Sequence, residues 1–109
     1  VNFMMREVMQ PGDVLDQVYV DMFKPLHVRV CLLAAMATGL DPESEQTRIL
    51  VFSIIGQAIY FHIGRAVVMR RLDWETLGHK EADKISATLI GNLRAIIAEH
   101  RRAVEGANP

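Results

Sequence analysis

The run ILVFSIIGQAIYFHIG, residues 49–64, decides the fold of this chain, because it contains no Asp, Glu, Lys or Arg. A helix built from it is apolar nearly all round, and a helix of that kind is buried on more than one side. The run is shorter than the roughly 20 apolar residues that a membrane span needs, and Arg48 and Arg65 bound it. It therefore predicts a buried helix of an all-α protein rather than a membrane contact.

Sequence breaks on both sides of this run divide the rest of the chain into further helices. The breaks are Pro and Gly positions, and the segments between them show helical periodicity with no two-residue alternation. We expect a kink at Pro25, a helix end at Gly39, a start capped by Asp41 and Trp74 in a loop. The prediction is five to six helices, over residues 2–9, 13–38 with the kink, 42–63, 66–72 and 79–104.

Composition excludes several classes of function. The 109 residues fit one small domain, and 12 basic against 13 acidic residues leave no basic excess for a nucleic-acid surface. Cys31 is alone, so neither an internal disulfide nor a zinc site with Cys/His spacing is expected, and a reduced cytoplasm is the simplest compartment. The carboxylates cluster at helix ends, where capping explains them. We expect no enzyme activity, no cofactor and no bound metal.

Two long apolar helices in so short a chain favour a homodimer. Residues 42–63 and 79–104 need more partner surface than one chain offers, and pairing with their symmetry mates gives an isologous four-helix bundle. Small side chains mark the positions where helix backbones can approach closely, either between subunits or within one subunit. The candidate interface residues are Ser53, Gly56, Ala87, Gly91, Ala95 and Ala98.

Several stretches, in this order, resemble the C-terminal half of TetR-family transcriptional repressors, and in particular the CecR-like subgroup. They are residues 6–11 (REVMQP), 25–27 (PLH), 39–42 (GLDP), 52–57 (FSIIGQ) with 60–61 (YF), and 65–66 with 70–74 (RRLDW). Asp73 stands where the subgroup pattern has Gly. The resemblance covers about residues 4–100.

The resemblance implies an effector-binding and dimerisation domain over residues 1–109 of a bacterial repressor. The N-terminal helix-turn-helix that would bind DNA is absent from this sequence, so DNA would be contacted only through that missing domain. The implied partners are a second copy and an unknown small-molecule effector, in the cytoplasm. The alternative is a helical homodimeric interaction module with no small-molecule ligand.

Polar and aromatic side chains within apolar helices are the candidate effector contacts. Gln57 is either a ligand or cross-dimer hydrogen-bonding group or a satisfied core amide. The other candidates would line an apolar pocket with few polar anchors, or else pack as ordinary core. His27 and His62 have no acidic or Cys partner at metal-ligand spacing. The candidate ligand-binding residues are Met22, Phe23, His27, Cys31, Gln57, Tyr60, Phe61 and His62.

Overall fold

The computed structural model describes residues 13–107, and this part of the chain is helical with no strand. The prediction of an all-α fold like that of a TetR C-terminal domain is confirmed, although the described residues form four helices rather than five or six. The expected helix over residues 2–9 lies outside the described residues. The helices are α1, which runs continuously through Asp13–Val18, Tyr19–Phe23 and Lys24–Thr38; α2, Glu45–Ile63; α3, Arg65–Arg71; and α4, His79–Ala107.

A π-helical segment precedes Pro25, the position at which the sequence predicts a kink. The segment Tyr19–Phe23 is π-helical, and the backbone N–H of Lys24 donates to the carbonyl oxygen of Tyr19. Pro25 has no N–H to donate to the preceding turn, and π-helical turns are one way in which a helix accommodates such a gap. The helix therefore continues through the proline, and residues 13–38 form one helix.

The turn between α1 and α2 begins as predicted and ends three residues later than predicted. Gly39 has a left-handed φ of 86° and donates to Ala35, which ends α1. Asp41 was predicted to cap α2, and this is wrong, because its carboxylate accepts from the N–H of Glu43 at 2.8 Å within the turn. Ser44 is the cap instead, and its Oγ accepts from the backbone N–H of Thr47 at 3.2 Å.

The predicted break at Gly64 and short following helix are confirmed. Helices α2 and α3 meet at an angle of 75° there. The end of α3 has the hydrogen bonds of a Schellman motif, with Trp74 N–H donating to Met69 and Asp73 N–H to Arg70. Asp73 occupies the left-handed position at φ 58°, which is where the subgroup pattern has Gly.

Helix α4 begins at His79, as predicted, and ends at Ala107, three residues beyond the predicted end. Its start is fixed by Glu81, whose Oε1 accepts from the backbone N–H of Gly78 at 2.8 Å. This hydrogen bond is the main reason why the pKa of Glu81 is lowered.

The buried core of the described residues is small for a chain with this apolar content. Its apolar members are Cys31, Leu50, Val51 and Val68, with His27, Thr38 and Thr47 as buried polar residues. The core lies where α1 packs against α2 and α4. Within the chain α2 is therefore buried on one side, not on several as its composition predicts.

In residues 13–107 no single helix is long and apolar enough to cross a membrane. Helices α2 and α3 pass the length and composition test only when they are taken together as a bent pair.

Candidate functional site

A row of aromatic rings lines the seam between α1 and α2. Tyr19, Phe23 and His27 follow one another at four-residue spacing on one face of α1, with centroid separations of 6.0 and 5.6 Å. Phe52 of α2 reaches into the row and lies 4.4 Å from His27 and 5.8 Å from Phe23, centroid to centroid. The rings place His27 in an apolar environment on at least two sides.

His27 is 7% exposed and has one satisfied ring nitrogen. Its Nδ1 lies 3.5 Å from Cys31 Sγ, one turn further along α1. Its Nε2 is buried and has no hydrogen-bond partner among the described residues. A buried polar group without a hydrogen bond lowers the stability by about 1–3 kcal/mol. A ligand that hydrogen-bonds this nitrogen would remove that cost.

Burial keeps Cys31 in its thiol form. Desolvation raises the pKa of the Cys31 thiol, and the carboxylate of Glu43 acts in the same direction. Reactive cysteines have lowered pKa values in electropositive, accessible surroundings. Cys31 is therefore a buried thiol beside His27 that lacks the lowered pKa of a reactive cysteine.

Gln57 lies elsewhere, between α2 and α4. Its Oε1 accepts a hydrogen bond from Asn92 Nδ2 at 3.2 Å, across the interface of the two helices. Beside it is a small cleft of about 140 Å³ with apolar walls that include Ile54 and Leu93. The amide oxygen thus has a protein partner, as a satisfied core amide would, and Asn92 is a contact that sequence reasoning missed.

A second cleft, of about 230 Å³, lies where the end of α2 and Arg65 of α3 face the first turns of α4. Phe61 and His62 both line it, whereas Tyr60 packs edge-on against Phe61 and is itself exposed.

The structure thus divides the candidate ligand-binding residues among three places. Phe23, His27 and Cys31 come together at the α1–α2 seam, with Phe52 as a member that sequence reasoning missed although it lies in the decisive apolar run. Gln57 lies at the α2–α4 interface, and Phe61 and His62 line the cleft of about 230 Å³ between the end of α2 and the first turns of α4. Met22 and Tyr60 are exposed on the surface.

The candidate interface residues all lie on exposed surfaces of α2 and α4. No atom beyond the local helix lies within 4 Å of a Cβ built at Gly56 or Gly91, so both glycines face open space. The Oγ of Ser53 donates to the carbonyl oxygen of Leu50 in its own helix, at 2.8 Å. Ala87, Ala95 and Ala98 are exposed and share one side of α4 with Gly91.

One exposed side of α2 is apolar from Ile49 to Ile63. We define the α2 outer face as Ile49, Phe52, Gly56, Ile59 and Ile63, which helical spacing brings onto one side. Its four large side chains are between 45% and 60% exposed. A continuous apolar face of this kind marks an interaction surface.

Residues 13–107 contain no group of three His, Cys, Asp or Glu side chains that is arranged to hold a metal ion. The features of the chain are instead a helical scaffold, a buried histidine with a free nitrogen, and a long apolar face. They place this part of the chain in the class of all-α domains with an exposed apolar face.

Comparison with known proteins identifies the family within this class. Residues 1–100 match the family described as the C-terminal domain of the HTH-type transcriptional dual regulator CecR, and the chain belongs to this family. The HTH-type transcriptional dual regulator CecR of Shigella flexneri is 23% identical over 96 residues, which cover 88% of this chain and 43% of that protein. The chain spans less than half the length of this relative. The family is one of transcription regulators, not a class of enzymes.

Proposed function

We propose that this chain is the effector-sensing and dimerisation domain of a bacterial TetR-family transcriptional repressor. It would act in the cytoplasm and control DNA binding by an N-terminal helix-turn-helix that is not part of the sequence. The family match supports the regulatory role, and the observation that carries the rest of the proposal is the α2 outer face.

The α2 outer face has the size and chemistry of one half of a dimer interface. Burying a large apolar side chain contributes about 1.5–3 kcal/mol, so four half-exposed ones contribute about 3–6 kcal/mol per subunit and about 6–12 kcal/mol per dimer. Association costs about 4–15 kcal/mol. The α2 outer face alone therefore gives a marginal dimer. The small-residue side of α4, around Gly91, would complete a four-helix interface that holds at micromolar concentration.

The α1–α2 seam is the proposed effector-binding site. A ligand that hydrogen-bonds Nε2 of His27 relieves the cost of leaving it unmet, while Phe23 and Phe52 offer ring faces to an apolar body. Such a ligand binds one arrangement of α1 and α2 better than another, and only this difference can shift a regulatory equilibrium. Two further candidates, Met22 and Cys31, lie on the same helix as His27.

The second candidate function is a helical homodimeric interaction module with no small-molecule ligand. The dispersal of the candidate ligand-binding residues among three places favours it, because one effector cannot contact all of them. Both functions use the same dimer, so only ligand binding separates them.

Two variants test the dimer by sedimentation velocity at micromolar concentration. Ile59→Arg places a charge on the α2 outer face and is expected to give a folded monomer. Met36→Arg is the matched control, because Met36 is 83% exposed on α1, and it is expected to leave the dimer intact. An unchanged dimer with Ile59→Arg would exclude the α2 outer face as the interface.

A ligand test then separates the two functions. Thermal stability of the wild-type chain is measured against a library of small apolar molecules that carry one hydrogen-bonding group, with His27→Phe as the comparison. The sensor predicts hits whose stabilisation disappears in His27→Phe, which fills the same space without Nε2. The absence of hits favours the interaction module, whereas hits that stabilise both proteins equally would place the ligand site away from His27.

A further inference from the structure

We propose that the cleft between the end of α2, the start of α3 and the first turns of α4 binds a small amphipathic carboxylate. This site is separate from the α1–α2 seam and goes beyond the proposed function, because neither dimerisation nor an effector at His27 requires it.

The walls of the cleft are mainly apolar. Phe61, Leu77, Ala82 and Ile85 line it, and each is half-buried, so that one side of the residue packs into the protein and the other faces the cleft. Ligand sites typically combine such walls with a few polar groups that fix orientation. These walls suit the hydrocarbon part of a ligand.

The polar groups of the cleft favour an anion. They are the guanidinium of Arg65, the imidazole of His62 and the hydroxyl of Ser86, and no acidic residue lines the cleft. The ion pairs found in residues 13–107 join other residues, Arg101 with Glu105 and Arg102 with Glu99. Arg65 therefore has no carboxylate partner in this part of the chain, and its planar fork of donors fits a carboxylate with two parallel hydrogen bonds.

The volume of the cleft sets the size of the ligand. A cavity of about 150 Å³ holds benzene, so this cleft of about 230 Å³ has room for one ring with a short carboxylate arm. Because the cleft is open to solvent and the ligand has only about ten non-hydrogen atoms, we expect a dissociation constant in the low millimolar range.

The cleft meets α2 mainly on the side away from the α2 outer face, and His62, which is three residues from Ile59, lies at the border of the two. Phe61 is two residues from Ile63, and two residues correspond to roughly 200° of rotation around a helix. The native mass, measured with and without ligand, therefore distinguishes a failure of the cleft from a failure of the dimer.

The test is a titration of the full chain with phenylacetate, followed by ¹H–¹⁵N NMR, with phenylacetamide as the uncharged analogue. Phenylacetate is expected to saturate shifts of the Phe61, Ala82 and Ser86 amides, and phenylacetamide to bind at least about tenfold more weakly. Arg65→Gln is expected to weaken phenylacetate binding about fivefold or more. Arg70→Gln is the matched control, because Arg70 lies on the same helix outside the cleft, and it is expected to have no effect.

Three results would overturn the proposal: no saturable shift up to about 20 mM phenylacetate, equal binding of the amide, or equal losses in the two arginine variants. Shifts confined to the His27 seam would also overturn it. The mass of the native protein, measured on the same samples, reports the dimer separately, so a failed titration with an intact dimer contradicts this site alone.

Discussion

Replacing Asp73 with glycine is expected to stabilise the protein. Asp73 holds a left-handed φ of 58° in the motif that ends α3. That conformation costs an L-amino acid about 1–2 kcal/mol. Glycine adopts this conformation without strain, but it lowers the free energy of unfolding by about 0.5–1 kcal/mol because it gives the unfolded chain more conformational freedom. The difference predicts a gain of about 0.5–1 kcal/mol for Asp73→Gly, or a rise in Tm of roughly 2–6 °C for a domain of this size.

Thermal unfolding followed by circular dichroism measures this gain, at one fixed protein concentration because association would make Tm concentration-dependent. Asp73→Ala is the matched control, since alanine keeps the Cβ and loses the carboxylate that can hydrogen-bond locally. The expected order of Tm is Gly, then Asp, then Ala. A lower Tm for Asp73→Gly, or an equal rise for Asp73→Ala, would refute the assignment of strain to this residue.

Three further changes test other local features. Gly39→Ala is expected to lower the free energy of unfolding by about 1–2 kcal/mol, because φ is 86° there and the added Cβ would lie 3.0 Å from Val104 Cγ1; a chemical denaturation midpoint equal to that of wild type would contradict this. Ser44→Ala removes the cap of α2 and should lower the free energy of unfolding by about 1 kcal/mol in the same denaturation assay. Ser44→Asp keeps a capping oxygen and should retain most of that free energy. The carboxylate of Glu81 has a lowered pKa in the folded state. Its contribution to stability is therefore complete above the ordinary pKa of a glutamate and is lost as the pH falls through the lowered pKa. The protection of amides at the start of α4 against exchange, relative to their intrinsic rates, should therefore fall below about pH 4, and a protection profile identical to that of Glu81→Ala would contradict this.

The helix ends could be predicted from the sequence wherever one residue type determines them. Gly39, Gly64 and the segment before His79 ended or began helices as predicted, because glycine acts through local backbone geometry. The start of α2 was misassigned because Asp41 and Ser44 can both cap a helix. The choice between them depends on Thr47, whose buried Oγ1 donates to the carbonyl oxygen of Asp41 at 2.6 Å.

The grouping of the site residues could not be predicted, because it depends on how the helices pack. The hydrogen bond between Gln57 and Asn92 joins residues 35 positions apart, and no local pattern encodes it. The ring of Phe52 reaches His27 only because α1 and α2 cross at that point. By contrast, the charge-free run predicted an apolar helix with more apolar surface than one chain covers, and the α2 outer face is that surface.

The most direct test of the central claim is the mass of the native wild-type chain, measured by native mass spectrometry at micromolar concentration. A homodimer built on the α2 outer face predicts a species of twice the 12.3-kDa chain mass, converted to monomer by Ile59→Arg. A wild-type protein that stays at the chain mass would contradict the dimer, and the apolar face of α2 would then need another partner.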